Sequence, residues 1–121
     1  MDAARNETIE IEQTKEYQLF RLSGKLTYGK TQESKEAILE KINPEATSYV
    51  FDLTAVKMVD STGMGLFITF LNYMDSDKTT FLIIENSFIR ELFTIAKLNK
   101  LFIICSSLEE VHGIVKEGRE L

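Results

Sequence analysis

The fold is decided by residues 49–71, YVFDLTAVKMVDSTGMGLFITFL. The segment opens with a short apolar run, residues 49–53, which is typical of a strand covered on both faces. It closes with a second apolar run, which lies in a predicted helix over residues 65–74. Polar residues and glycines separate the two elements. A strand that leads through a short loop into a helix is the repeating unit of α/β folds.

The same unit recurs further along the chain. Two later apolar runs predict strands that are usually parallel when both faces are covered. A capping box of Ser107 and Glu110 marks the start of the last helix. The predicted strands are residues 8–12, 17–22, 49–53, 81–84 and 101–104. The predicted helices are residues 31–42, 65–74, 87–98 and a last helix that begins at Ser107. This alternation predicts a small α/β sandwich with a mixed, mostly parallel sheet of about five strands and about four helices.

Length and composition favour one globular domain. The chain has 121 residues, 44% hydrophobic and 27% charged, which is enough apolar content for one core. We therefore expect a single domain over residues 1–121, with residues 1–8 as a flexible N-terminal tail. The formal net charge of −5 and the lack of a basic stripe disfavour binding to nucleic acid. No apolar run approaches the roughly 20 residues of a membrane span, so we expect a cytoplasmic protein without membrane association.

The lone cysteine and the lone histidine give no sign of a metal or cofactor site. Cys105 has no partner for an internal disulfide and ends an apolar run, so we expect a buried thiol. His112 has no second imidazole or thiol at ligand spacing, and we expect it on the surface of the last helix. The sequence therefore predicts neither a metal site nor a cofactor.

Residues 24–31, GKLTYGKT, match the phosphate-loop pattern G-x-x-x-x-G-K-T between a predicted strand and a predicted helix. In a nucleotide site, Gly29 and its neighbours would cradle the phosphates, Lys30 would reach the terminal phosphates and Thr31 would hold Mg²⁺. Asp52 would be the second metal-binding carboxylate. This interpretation predicts a minimal nucleotide-binding protein.

A structural interpretation of the same residues is favoured. The chain is short for a nucleotide hydrolase, the preceding strand carries Arg21, and only one helix and a loop separate Lys30 from Asp52. In this interpretation Gly24 turns the chain out of its strand and Thr31 is the N-cap of a solvated helix. The nucleotide site is kept as the lesser alternative.

The second chemically rich stretch is residues 60–65, DSTGMG, at the start of the apolar helix. Asp60 or Ser61 can accept hydrogen bonds from the free N–H groups of the first helical turn, and the glycines permit close approach of a partner. A phosphoryl group on a hydroxyl there would add about −1.5 to −2 charges at neutral pH, next to Asp60. The residues alone leave two interpretations open, which are a charge-switched binding site and a Ser61 that serves only as helix N-cap.

A family resemblance favours the binding site. Residues 55–65, AVKMVDSTGMG, resemble the signature loop of STAS domains, specifically the stand-alone anti-sigma-factor antagonists, in which Asp-Ser-Ser/Thr-Gly-Leu-Gly stands at a helix start. The resemblance covers nearly the whole chain and includes GKL at residues 24–26, FDL at 51–53 and the helix at 88–98. There are three departures. Met64 replaces the usual Leu, Thr27 replaces an Asp common after Gly-x-Leu, and residues 29–31 are not typical of the family.

The resemblance implies a phosphorylation-switched binding module of bacterial transcription regulation, not an enzyme. Ser61 matches the family's phosphoacceptor, with Thr62 as a minor second acceptor. The implied partners are a GHKL-type serine kinase that is also an anti-sigma factor, and a PP2C-type phosphatase. Unphosphorylated, the protein would bind the kinase and release its sigma factor or other target. A subunit of a signalling complex that is never phosphorylated remains an alternative.

The expected partner surface combines the signature loop, the exposed part of the following helix and the turn near residue 24. Most of the Phe-rich stripe of that helix is expected to lie in the core, with only its first turn exposed. The expected partner-binding residues are Gly24, Lys25, Thr27, Tyr28, Asp60, Ser61, Thr62, Gly63, Met64, Gly65 and Phe67.

Overall fold

A five-stranded sheet organises the part of the chain that the computed structural model describes, residues 9–74 and 77–118. The strands are β1 (Ile9–Gln13), β2 (Tyr17–Leu26), β3 (Ser48–Val59), β4 (Thr79–Ile83) and β5 (Ile103–Cys105). The helices are α1 (Thr31–Lys41), α2 (Ser61–Tyr73), α3 (Ser87–Ile95) and α4 (Leu108–Gly118), with a short 3₁₀ turn at Leu98–Lys100. The expected tail at residues 1–8 lies outside the described residues, and the domain extent of 1–121 stays a prediction.

The strands follow one another in sheet order β1-β2-β3-β4-β5. β1 pairs antiparallel with β2, and the other three pairings are parallel. Because each parallel crossover steps to the next strand in the same direction, right-handed connections place α1, α2 and α3 on one face of the sheet. α4 packs on the opposite face, where Val111 joins Leu19 and Val50 in a second apolar cluster. The predicted α/β fold with a mixed, mostly parallel sheet is confirmed.

Aromatic rings hold α2 against the centre of the sheet. The Phe51 ring on β3 stacks on Phe20 of β2 with centroids 5.0 Å apart. It also contacts Phe67 and Phe70 of α2 edge to face, at 5.3 and 4.7 Å. Such pairs contribute about 0.5–1.5 kcal/mol each beyond the burial of their area. The helix that follows the signature loop is therefore fixed by its own Phe stripe.

β2 and β3 are both longer than the apolar pattern predicts. They stay paired in parallel up to Leu26 and Val59, across two register shifts near Gly24. The extensions carry exposed polar residues such as Lys25 and Lys57, so their hydrophobic pattern gives no strand signal. The predicted turn at Gly24 is wrong, because Gly24 lies within β2, where its φ of 82° accompanies the shift in register.

Three local predictions on the later elements are confirmed. Cys105 is buried, and burial raises the pKa of its thiol to about 11. His112 is exposed on α4, with its Nε2 atom 2.6 Å from the Tyr17 hydroxyl oxygen. Ser107 caps α4 by accepting a hydrogen bond from the Glu110 N–H at 3.1 Å. The Glu110 carboxylate accepts a hydrogen bond from the N–H of Ser106, one residue earlier than in a standard capping box.

Among the described helices, none has both the length and the apolar content needed to cross a bilayer.

The first turn of α2 packs directly on the end of β2. A Cβ atom added at Gly63 would lie 2.1 Å from the Leu26 carbonyl oxygen and 2.9 Å from the Leu26 Cβ. Backbone cannot yield as a flexible side chain can, so this contact requires glycine. At Gly65, one half-turn later, an added Cβ would meet no atom within 4 Å. The two glycines of the signature loop therefore have different roles.

We expect Gly63→Ala to destabilise the fold and Gly65→Ala to stabilise it. The first change should lower the free energy of unfolding by about 1–3 kcal/mol, the usual cost of overpacking. The second replaces glycine inside an unobstructed helix, where alanine is favoured by about 0.5–1 kcal/mol. Urea unfolding of both variants measures the difference. Equal effects of the two substitutions would contradict the assigned contact with Leu26.

Candidate functional site

The candidate site lies where β2 and β3 end side by side. Parallel strands bring the loops at their carboxyl ends to one edge of the sheet, which is the usual place for sites in α/β folds. The β2–α1 loop, residues 27–30, follows Leu26, and Asp60 follows Val59. Because Leu26 pairs with Val59, the two segments that sequence analysis singled out are neighbours in space. The Asp60 N–H also donates to the Leu26 carbonyl at 3.2 Å.

Asp60 is the N-cap of α2 and connects the two loops. Its Oδ1 atom accepts hydrogen bonds from the N–H groups of Thr62 at 2.9 Å and Gly63 at 3.0 Å. The same oxygen accepts from the Thr62 hydroxyl at 2.6 Å. Its Oδ2 atom accepts from the Tyr28 N–H at 3.0 Å, across to the β2–α1 loop. The Thr62 hydroxyl and the backbone donors, chiefly Tyr28, stabilise the anion and lower the pKa of Asp60 to about 2.

Ser61 is the first residue of α2 and is exposed. Asp60, not Ser61, occupies the capping position, so the interpretation of Ser61 as only an N-cap is wrong. Within the described residues, no hydrogen bond engages the Ser61 hydroxyl. Thr62, the neighbouring hydroxyl residue, is exposed too, but its hydroxyl hydrogen is committed to Asp60. The two adjacent hydroxyls are therefore chemically different.

Most of the other expected partner-binding residues have at least part of their surface at this edge. Phe67 does not, because it is 0% exposed and its ring lies against Phe51 and Phe93. Its expected place on the partner surface is wrong, since the residue faces the sheet. Gly63 is also buried and contributes through its close packing on β2. The expected residues with open surface are Gly24, Lys25, Thr27, Tyr28, Asp60, Ser61, Thr62, Met64 and Gly65.

The exposed residues of α2 extend beyond its first turn. The prediction that only the first turn is exposed is therefore wrong. Ile68 is 41% exposed and Tyr73 is 60% exposed. Ile68 lies on the side of the helix away from Phe67 and Phe70, and Tyr73 is the last residue of the helix. The sequence of α2 hides this division, because hydrophobic residues lie outside its buried face as well as on it.

The phosphate-loop interpretation does not fit the geometry of residues 27–31. In a phosphate loop, backbone N–H groups point at the ligand. Here the Tyr28 N–H donates to Asp60, while the N–H groups of Lys30 and Thr31 both donate to the Thr27 carbonyl, at 2.9 and 3.1 Å. Thr31 is also not the N-cap of α1. It is the first helical residue, and its hydroxyl donates to the same Thr27 carbonyl at 3.0 Å.

Asp52 is not placed to share a metal with Thr31. It lies in the middle of β3, opposite Arg21, whose Nε atom is 3.8 Å from its carboxylate. It also accepts a 2.6 Å hydrogen bond from the Thr54 hydroxyl. Thr31 begins α1, beyond the carboxyl end of β2. In the described part of the chain, no cluster of three or more His, Cys, Asp or Glu residues suits a metal ion.

A groove between α1 and α2 opens beside the loops and was not predicted. Its volume is about 580 Å³. It is lined by residues of the expected site, including Tyr28, Thr62 and Gly65, and by residues that sequence analysis did not single out. The additional lining residues are Gln32, Lys35, Leu66 and Thr69. These residues belong to no sequence motif and lie on two separate helices. The sequence does not predict the groove, because only the packing of α1 against α2 brings them together.

Comparison with known proteins agrees with this fold. The family model described as STAS domain matches residues 8–111. An anti-sigma factor antagonist from Mycobacterium paratuberculosis has a similar structure, with a TM-score of 0.82 at 17% identity over 90% of this chain and 93% of that chain. No protein of curated function matches the sequence.

Two structures of SpoIIAA are also similar. The anti-sigma factor antagonist SpoIIAA in its unphosphorylated form has a TM-score of 0.64 at 19% identity, over 89% of this chain and 97% of that chain. The Bacillus cell fate determinant SpoIIAA in its phosphorylated form has a TM-score of 0.65 at 19% identity, over 88% and 98% of the two chains. At such identities the likeness shows a shared fold.

The Asp60 contacts predict a specific dependence of stability on pH. Because the folded pKa of about 2 lies below the ordinary 3.8, the ionised carboxylate stabilises the fold. This contribution is complete above the unfolded pKa and is lost as pH falls through the folded one. We expect the stability difference between the wild type and Asp60→Asn to shrink as pH falls from about 3.8 to about 2. Urea midpoints of both proteins between pH 5 and 2 measure it, and a difference that stays constant would contradict the assigned cap.

Proposed function

This chain belongs to the STAS domain family, and on that premise we propose that it is an anti-sigma-factor antagonist switched by phosphorylation of Ser61. In this role it is a binding protein, not an enzyme. Unphosphorylated, it binds a GHKL-type serine kinase that also serves as an anti-sigma factor, and the kinase releases its sigma factor or other target. A PP2C-type phosphatase restores the unphosphorylated form. We place this cycle in the bacterial cytoplasm.

The observation that carries the proposal is that the Ser61 hydroxyl is exposed and makes no hydrogen bond within the described residues. A kinase can therefore reach Ser61 without disrupting the fold. It stands at the first position of α2, whose Phe67 and Phe70 anchor the helix to the sheet. The acceptor oxygen is therefore presented from a rigid element at the sheet edge.

Thr62 is a poor second acceptor. Its hydroxyl donates to the Asp60 carboxylate at 2.6 Å, and that bond is the largest cause of the low pKa of Asp60. Esterification of Thr62 would remove the donor and set a phosphate dianion against the carboxylate. The modification would therefore disrupt the N-cap of α2. We propose Ser61 as the only functional acceptor of the pair.

The charge of phosphoserine accounts for the switch. The modification adds about −1.5 to −2 charges next to Asp60. Free N–H groups at a helix start ordinarily stabilise a phosphate. Here the N–H groups of Thr62 and Gly63 already donate to Asp60, so this compensation is reduced. A partner that covers the loop must then desolvate an uncompensated dianion, which costs affinity on the order of several kcal/mol.

We expect Ser61→Asp to weaken kinase binding and Ser61→Ala to preserve it. GHKL-type serine kinases of the source organism are purified and incubated with ATP and this chain, and mass spectrometry should find phosphate on Ser61. Calorimetry with the active kinase should give a dissociation constant for Ser61→Asp at least about tenfold above that of Ser61→Ala. Equal affinities of the two variants would contradict the switch.

Ser87→Asp is the matched control for these measurements. Ser87 is exposed and is the first residue of α3, directly after the capping Asn86, so the substitution places the same charge at the same helical position. We expect it to bind like the wild type. If no kinase modifies Ser61 and native protein carries no phosphate there, the chain acts instead as an unphosphorylated subunit of a signalling complex.

A further inference from the structure

The groove between α1 and α2 begins at the phosphorylation site itself. Thr62, the neighbour of Ser61, lines it, and the Thr62 and Thr31 hydroxyl oxygens lie 3.4 Å apart across the two helices. Its volume of about 580 Å³ is large enough for several side chains. A partner that contacts Ser61 therefore meets this groove on the α1 side of the loop.

On the α2 side, the groove is open down to the helix backbone. Gly65 and Leu66 of α2 form part of its lining. No atom lies within 4 Å of the position of a Cβ added at Gly65, so the backbone of α2 can be approached closely. A large side chain at residue 65 would occupy part of this open space. The open space beside Gly65 can hold an apolar side chain of a partner.

The rim of the groove carries an aromatic ring and a positive charge. Tyr28 is 85% exposed, although the Asp60 carboxylate fixes its backbone N–H. An exposed tyrosine on a fixed loop is a frequent energetic anchor of protein interfaces. Lys35 of α1 is the charged residue among those that line the groove. A carboxylate on the ligand would pair with this amine.

Further exposed lysines lie along the wider sheet edge. Lys25, Lys30 and Lys57 are exposed there, at the ends of β2 and β3 and in the loop between β2 and α1. Acidic residues lie near them as well. They are Asp60, whose oxygens are occupied by four hydrogen bonds, Glu33 and Glu36 of α1, and Glu85 after β4; the Glu36 carboxylate accepts a hydrogen bond from Gln32 of the groove at 2.9 Å. The chain as a whole has a formal net charge of −5. The groove lining itself carries one charge, the positive charge of Lys35, although the protein as a whole is acidic.

We propose that this groove receives an apolar side chain flanked by carboxylates, presented by the kinase partner. The inference rests on the proposed function and names the chemistry of the partner at that site. The apolar side chain fills the space above Gly65, and the carboxylates pair with Lys35 and the neighbouring lysines. Phosphate on Ser61 then carries the same sign as the arriving carboxylates. Repulsion between them adds to the desolvation cost in the phosphorylated state.

Blocking the groove tests the apolar contact. We expect Gly65→Leu to raise the dissociation constant for the kinase at least about tenfold, because the new side chain occupies part of the groove. The variant should unfold at the same or a higher temperature than the wild type, since leucine is a better helix former than glycine. Gly113→Leu is the matched control, because Gly113 also lies in a helix, α4, with no atom within 4 Å of an added Cβ. It should bind like the wild type.

Charge reversal tests the carboxylates. We expect Lys35→Glu to weaken kinase binding about tenfold at low salt and less at high salt, because rim charges act through screened interactions. Lys15→Glu changes the net charge equally but lies in the β1–β2 turn, at the opposite end of β2. It should have little effect. If Gly65→Leu and Lys35→Glu both bind like the wild type while Ser61→Asp still binds weakly, the groove proposal is overturned and the phosphorylation switch stands.

A measurement without the kinase separates the two proposals further. The chain, labelled with ¹⁵N, is titrated with acetyl-Glu-Glu-Leu-Glu-Glu-amide and with the same peptide carrying Lys in place of Glu. We expect the amide signals of Gly29 and Gly65 to shift with the acidic peptide and to stay in place with the basic one. Localised shifts support the groove even where no kinase phosphorylates Ser61. Equal responses to both peptides, or no response to either, overturn the proposal.

Discussion

The Asp60 carboxylate is the contact on which the candidate site depends. One of its oxygens closes the first turn of α2, and the other holds the backbone of Tyr28 in the loop after β2. Parallel pairing brings the two loops close, but it does not fix their conformations. The carboxylate does so, and its low pKa reflects the number of donors that converge on it. One side chain therefore joins two segments that are more than thirty residues apart in the sequence.

This contact also gives Ser61 its chemical character. Because Asp60 takes the capping position, Ser61 is moved to the first helical residue, where its hydroxyl faces solvent. Because Asp60 also accepts a hydrogen bond from the Thr62 hydroxyl, the hydroxyl hydrogen of Thr62 is committed and that of Ser61 is not. Gly63 completes the arrangement, since only a residue without Cβ lets the turn lie on Leu26. Thr62 thus supports the cap and Gly63 allows close packing, while the Ser61 hydroxyl is left open to solvent.

The sequence predicted the fold better than the site, and the reasons are physical. The segments 49–53 and 81–84 lie in strands that are covered on both faces. Their sequences are therefore almost continuously apolar, and this pattern predicts the strands. The ends of β2 and β3 are set by pairing between strands, and their exposed lysines leave no hydrophobic pattern. Phe67 is expected on the partner surface because it lies near the start of the helix that follows the signature loop. Only the position of the sheet decides that Phe67 faces inward and Ile68 outward.

The match at residues 24–31 shows why a motif needs its structural context. The letters G-x-x-x-x-G-K-T describe a loop whose backbone N–H groups are free for phosphate. In this chain the same letters form the end of a strand and a tight turn, in which Lys30 and Thr31 donate to Thr27 and Tyr28 donates to Asp60. These three donors are thus committed within the protein, and Lys25 and Lys30 remain as exposed surface charges. Such charges can steer a carboxylate-bearing partner toward Ser61, but they do not form a cradle for a nucleotide. The same segment therefore favours protein recognition over nucleotide binding.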